Sequence, residues 1–216
     1  MHNTVKNLIY IQELIKSKAN HDELAKIIAV SKTFPIENVL PLIKHGHLHY
    51  GENKVQETLE KWTDIKNENH NIQLHLIGKL QTNKVKFALK IFDYIHSLDS
   101  EKLANKIAEE QEKQKKKPKI FIQVNIENED QKSGIDKRNL NNFYEFCKNL
   151  NLDIIGTMCI PPNDGNTEKY FSEMNEINKE LNFKELSMGM SGDYLEAIRY
   201  NATYIRVGSK IFGNRT

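Results

Sequence analysis

The ten residues KIIAVSKTFP, Lys26 to Pro35, decide the fold. Ile27 to Val30 are apolar in succession, with no polar residue at every second position, so a strand here has no wet face. Strands covered on both sides belong to a parallel sheet with helices packed against it. KIFIQVNI, Lys119 to Ile126, reads in the same way.

Moving outward from these two runs, strand-like segments recur at Lys26–Ser31, Leu48–Gly51, Gln73–Ile77, Tyr94–Leu98, Ile120–Asn125, Asp153–Met158, Glu185–Met188 and Tyr204–Val207. Helical periodicity fills the intervals. Val55, Leu59 and Trp62 share one face, as do Leu140, Phe143, Cys147 and Leu150, and again Tyr170, Met174, Ile177 and Leu181. Leu103 and Ile107 support a further helix, and Pro41 is expected to kink one over residues 36–45. An extra N-terminal helix, with Leu8, Ile11 and Ile15 on its apolar stripe, precedes the first strand.

Eight strands alternating with helices, with no linker or shift in composition, predict a single (β/α)8 TIM barrel over residues 1–216, in the α/β class. The main alternative is an open doubly wound sheet. No GxGxxG follows the first strand, which weakens that alternative.

Composition narrows the function. Of 216 residues, 38% are hydrophobic and 28% charged, as in a globular protein rather than a disordered or membrane-embedded one. Thirty-one Lys and Arg nearly balance 29 Asp and Glu, so the net charge of +2 offers little attraction for nucleic acid or an anionic membrane. The basic run KQKKKPK, Lys113 to Lys119, reads as a solvated helix end and loop. Two cysteines, Cys147 and Cys159, sit beside apolar neighbours and build no disulfide framework, so a reduced, cytoplasmic protein is expected. The N-terminal stretch is too interrupted for a signal peptide, and no run approaches a membrane span. A small barrel without an obvious apolar stripe predicts a monomer.

In such a barrel the active site forms where strands end, so the polar residues at those ends are the candidates. Lys32 follows the IIAVS run and points into the barrel mouth. Burial lowers an ammonium from its ordinary pKa of about 10.4 and yields an amine able to attack an aldehyde. The other reading is a structural lysine paired with Glu52 or Asp99. The segments Ser187–Gly192 and Gly208-Ser209 end the last two strands and, with a helix starting near Gly192, suit a phosphate. Ordinary tight turns would look similar. Arg206, among apolar residues, needs a partner: a ligand, or a salt bridge to Asp193 or Glu196. His45, His47 and His49 (HGHLH) invite a metal reading, but no further ligands complete a set and no metal is expected. His75 reads first as a packed, hydrogen-bonded histidine and second as a ligand contact.

The segments IIAVSKTFP (27–35), HYGENKVQE (49–57), HLIGKLQTNK (75–84), IQVNIENEDQKSGI (122–135), GTMCIPP (156–162), ELSMGMSGD (185–193) and IRVGSKIFGNR (205–215), in this order, resemble the YggS/PROSC family of pyridoxal phosphate homeostasis proteins, also called pyridoxal 5′-phosphate (PLP)-binding proteins. The resemblance runs nearly end to end. It implies the PLP fold type III barrel of the alanine racemase N-terminal domain, with PLP as cofactor in a Schiff base on Lys32. It further implies phosphate binding at Ser191, Gly208 and Ser209, Arg206 near the pyridine nitrogen, Asn53 and His75 lining the pocket, and Met188 beside the cofactor. Arg206 so placed would keep that nitrogen unprotonated and weaken carbanion chemistry.

The function this implies is intracellular PLP homeostasis by buffering, storage or delivery, without enzymatic turnover. PLP itself and apo PLP enzymes are the expected partners. A racemase-like enzyme is the alternative, its base drawn from Tyr50 or a partner subunit, although 216 residues leave no space for the second domain of a racemase. Without the resemblance, Lys32 would also suit a class I aldolase.

Overall fold

In the computed structural model, which describes residues 1–18, 24–127 and 133–213, the KIIAV run forms β1 (Lys26–Val30), buried from its second residue onward. It pairs in parallel on both edges. The remaining strands are β2 (His49–Glu52), β3 (Gln73–Leu76), β4 (Tyr94–Leu98), β5 (Lys119–Asn125), β6 (Ile135–Asp136), β7 (Asp153–Cys159), β8 (Glu185–Met190) and β9 (Tyr204–Val207). Every pairing is parallel, and the order β4-β3-β2-β1-β9-β8-β7-β5 closes on itself through a β4–β5 pairing. The eight predicted strands are thus the staves of a closed barrel, and the open sheet is excluded. The two-residue β6 is too short to carry a pattern; it adds to Val124 and Asn125 at the end of β5.

The outer layer consists of α1 (Asn3–Lys18), α2 (Ile36–Lys44), α3 (Val55–Glu68), α4 (Val85–Ile91), α5 (Glu101–Gln114), α6 (Leu140–Asn149), α7 (Thr167–Glu180), α8 (Tyr194–Arg199) and α9 (Ser209–Phe212). Leu8, Ile11 and Ile15 of α1 are buried, and α1 packs against α2, α8 and α9. Each such side chain contributes about 1.5–3 kcal/mol on burial. Helix α2 continues past Pro41 to Lys44: the ring removes one N–H, but the Pro41 carbonyl still accepts from His45 N at 3.1 Å. Helix α5 ends before Lys115, which takes the left-handed conformation (φ 53°), so KQKKKPK is a helix end and loop. Among the described residues no helix is long and apolar enough to cross a membrane. Both cysteines are free and buried.

Alternation along the strands divides the core in two. Ile28, Val30, Tyr94, Phe121, Met158 and Tyr204 form one cluster, and their strand neighbours Ala29, Ile95, Ile120, Ile122 and Ile205 belong to the larger cluster beneath the helices. The smaller cluster is the packed barrel interior. At β7 the register slips, with Ile120 opposite Ile154 and Phe121 opposite Gly156, and a Cβ on Gly156 would stand 1.7 Å from Glu185 O.

Candidate functional site

Because all strands run the same way, their C-terminal ends open into one mouth, which holds a cavity of about 680 Å³. Six of the predicted site residues line it: Lys32, Asn53, Ser191, Arg206, Gly208 and Ser209. His75 and Met188 do not. His75 is fully buried in the barrel interior, and Met188 faces the helix layer, because β8 turns Ser187 inward and its neighbour outward.

Lys32 sits in the turn that follows β1, where Phe34 N donates to Ser31 O at 3.1 Å and Thr33 adopts φ 68°. A β-branched residue in the left-handed region stores about 1–3 kcal/mol and persists only where its surroundings impose it. The surroundings here are Glu52 and its donors. Glu52 Oε1 accepts from Ser31 Oγ (2.7 Å), Lys61 Nζ (2.8 Å) and Trp62 Nε1 (2.9 Å), and Lys61 Nζ also reaches Ser31 O (2.8 Å). Glu52 is therefore the partner of Lys61. Asp99 lines a neighbouring cavity of which Lys32 is not part.

The seventh and eighth loops meet across the cavity. Gly208 N donates to Ser191 Oγ at 3.2 Å, tying them together. Ser209 and Lys210 head the single turn of α9, where backbone N–H groups have no intrahelical acceptor. Gly189 (φ 87°) lies where the β8–β9 register shifts, and a Cβ there would meet the Ala197 side chain at 2.6 Å. This irregular step brings Met190 and Ser191 to the mouth.

Arg206, only 4% exposed, lines the cavity from below. It donates to Ser187 Oγ (2.7 Å) and Cys159 O (2.8 Å), and both acceptors are uncharged. Burial pulls its pKa below the ordinary value, with Cys159 and Asp193 opposing the shift. The alternative reading of Arg206, a salt bridge to Asp193 or Glu196, does not form; Asp193 Oδ1 accepts instead from Met190 N at 2.5 Å. Below Arg206 the interior is polar in a way the sequence reading missed: His49, His75 and His96 follow one another at 2.9 Å and end on Ser187. Burial is the largest cause lowering all three histidines, His49 to about 4 and the other two well below their ordinary value. Among the described residues no group of three His, Cys, Asp or Glu side chains is arranged to hold a metal.

Tyr50 does not reach the cavity. Its ring packs on Trp62 at 4.9 Å, its hydroxyl donates to His47 O at 2.9 Å, and burial raises its pKa. It cannot serve as the base of a racemase-like site. Phe34, Ile77, Gly78, Lys79, Gln123, Ser133 and Ile160 also line the cavity. Gly78 is required there, since a Cβ would stand 2.4 Å from Asn53 O.

Comparison with known proteins matches this geometry. Residues 7–216 match the alanine racemase N-terminal domain family. A pyridoxal phosphate homeostasis protein of Aquifex aeolicus is 36% identical over 215 residues, spanning 95% of this chain and 93% of its own. The chain belongs to the pyridoxal phosphate homeostasis protein family. A member from Schizosaccharomyces pombe is 34% identical over 220 residues, with 95% and 90% covered. PipY of Synechococcus elongatus, solved with PLP bound, superposes with a TM-score of 0.87 at 31% identity, covering 97% of this chain and all of PipY (100%). Alanine racemase of Clostridium difficile shares the fold alone, at 15% identity and a TM-score of 0.76. Of the matching segments, residues 128–132 and 214–215 lie outside the described residues.

Proposed function

We propose that this chain binds PLP in the C-terminal mouth, attached through Lys32, and that it buffers, stores or delivers the cofactor without turning over a substrate. One observation carries the reading: a primary amine, two joined serine-glycine loops and a buried guanidinium converge on one cavity of about 680 Å³. PLP supplies an aldehyde, a phosphate and a pyridine nitrogen. The residues fit these groups in turn. Lys32 offers the amine; Ser191, Gly208 and Ser209 offer hydroxyls and N–H groups to the phosphate; Arg206 offers a cationic donor to the ring nitrogen. Asn53 closes the side wall, while His75 acts from beneath and Met188 supports β8 from outside.

The lining also favours a holder over an enzyme. Among the described residues around the cavity, the titratable side chains are Lys32, Lys79 and Arg206; apart from the two amines, no carboxylate, histidine or tyrosine stands there to exchange a proton with a bound amino acid. The family relatives are named for homeostasis, in line with this reading. We place the protein in the cytoplasm as a monomeric single domain over residues 1–216, with apo PLP enzymes as recipients.

The test is a visible absorbance spectrum of the purified protein with PLP, before and after borohydride, with the reduced adduct mapped. The adduct is expected on Lys32, and an adduct on another lysine would overturn the assignment. Lys32→Ala should lose the visible band yet keep weaker PLP affinity through the loops. Rapid α-proton exchange of single-enantiomer amino acids in deuterated buffer would defeat the non-enzymatic reading.

A further inference from the structure

A polar column fills the barrel interior beneath the cofactor cavity, and none of its histidines lines that cavity. His49 Nδ1 lies 2.9 Å from His75 Nε2, His75 Nδ1 lies 2.9 Å from His96 Nε2, and His96 Nδ1 lies 2.9 Å from Ser187 Oγ. Each link climbs. His49 stands opposite Gln73 and His75 opposite Tyr94, so each next histidine sits two residues further along its strand than the direct partner of the one before. Such diagonal neighbours are within reach of long side chains. The stagger carries the column from the N-terminal mouth, where Lys26, Asp93, Lys119 and Glu185 surround His49, up to Arg206 at the cavity floor.

The column has a direction. Ser187 is fully buried, and its oxygen already accepts from Arg206. Its own proton then has one acceptor among the described residues, His96 Nδ1. A neutral imidazole carries one donor and one acceptor, so accepting at Nδ1 places the proton of His96 on Nε2. The same step repeats at His75 and at His49. Burial keeps the imidazoles neutral, which the alignment needs, since a protonated ring would donate from both nitrogens. Stacking holds the rings in place, His75 on Tyr94 and His96 on Phe121, each with ring centroids 4.2 Å apart.

We propose that Ser187, His96, His75 and His49 form a one-directional hydrogen-bond relay that fixes the orientation of Arg206 and couples the ring end of the cofactor pocket to the opposite mouth of the barrel. These are positioning residues. The inference deepens the PLP reading and rests on it for the identity of the ligand, but the relay itself belongs to the protein alone. Aligned hydrogen bonds polarise one another, so a change at His49 is felt at His96 and Arg206.

The experiment is nitrogen-15 NMR of histidine-labelled apo protein. His75 and His96 are expected as Nε2–H tautomers, with nitrogen–nitrogen couplings across the two imidazole–imidazole hydrogen bonds. Nδ1–H tautomers, or absent couplings, would overturn the relay without any variant being made. In the PLP-loaded protein, His49→Phe keeps an aromatic ring beside Tyr94 and Tyr204 but removes the lowest link. It should shift the His96 nitrogens, two links away, and the ring nitrogen of labelled PLP. The exposed His45, outside the column, supplies the control variant His45→Gln, which should move neither. Equal shifts from both variants, or none from His49→Phe, would refute the coupling. Failure of PLP uptake would sink the binding reading, and the apo couplings would still decide the relay.

Discussion

Acidification from pH 7 to pH 5 should destabilise the fold steeply, and the two innermost histidines set a lower limit to the effect. His75 and His96 are completely buried, and burial holds both far below the ordinary 6.5. In the unfolded chain each returns to that value and binds a proton as the pH falls, while the folded protein keeps the ring neutral. The unfolded state therefore binds more protons, so stability is fully present above about 6.5 and declines as pH falls below it. At pH 5 the unfolded histidine is roughly 1.5 units past its pKa; at about 1.4 kcal/mol per unit, each ring contributes about 2 kcal/mol and the pair about 4 kcal/mol. That is a large part of a typical domain stability of about 5–15 kcal/mol. His47 and His49, lowered to about 4, act in the same direction. Lowered carboxylates such as Glu109 and Asp136, at about 2, lose their contribution only as pH falls below the ordinary carboxylate range, outside this window. Urea unfolding followed by the single, fully buried Trp62 at half-unit intervals of pH measures the slope. His96→Phe, stacked on Phe121, should remove about one proton from that slope near pH 5 whatever its effect on absolute stability. A flat profile between pH 7 and 5, or a His96→Phe slope equal to that of the unchanged protein, would refute the reasoning.

Further outcomes follow from single contacts. Gly156→Ala drives a Cβ into Glu185 O, so a loss of about 3 kcal/mol in chemical denaturation is expected, at the upper end for overpacking, and a loss below about 1 kcal/mol would show that β7 yields. Glu52→Gln leaves the Lys61 ammonium beside Ser31 O and Trp62 without its carboxylate; about 3 kcal/mol should be lost, together with PLP affinity, because the turn bearing Lys32 is released. Ser191→Ala combined with Ser209→Ala should weaken PLP binding at least tenfold by equilibrium titration, and unchanged affinity would remove those loops from the phosphate site.

The barrel was legible because its signal is local: eight apolar runs and the helical stripes between them each carry their own periodicity, and parallel pairing follows from runs that lack a wet face. Lys32 and the two serine-glycine loops were legible for the same reason, since a residue at a strand end needs no register to be placed at the mouth. Met188 shows the boundary. Its motif put it beside the cofactor, but one step of alternation separates Ser187, inside, from Met188, outside, and that parity depends on a neighbouring irregularity at Gly189. Tyr50 fails by the same parity, facing Trp62 beneath α3 while His49 and Gly51 alternate with it.

The histidine column lies beyond that boundary altogether. His49 read as part of the HGHLH triplet that invites a metal, His75 as a packed strand residue, and His96, within YIHSL, carried no signal of its own. What joins them is a stagger of two residues between successive strands, a property of barrel closure and not of any one segment. The same closure explains why the column ends where it does. A tilted diagonal that starts at the first residue of β2 must emerge near the C-terminal mouth after crossing the interior, and the residue that receives it, through Ser187, is the buried cation facing the cavity. Among the described residues Arg206 donates to no carboxylate; Ser187, at the end of this neutral column, and the Cys159 carbonyl hold it, so its positive charge is left facing the cavity.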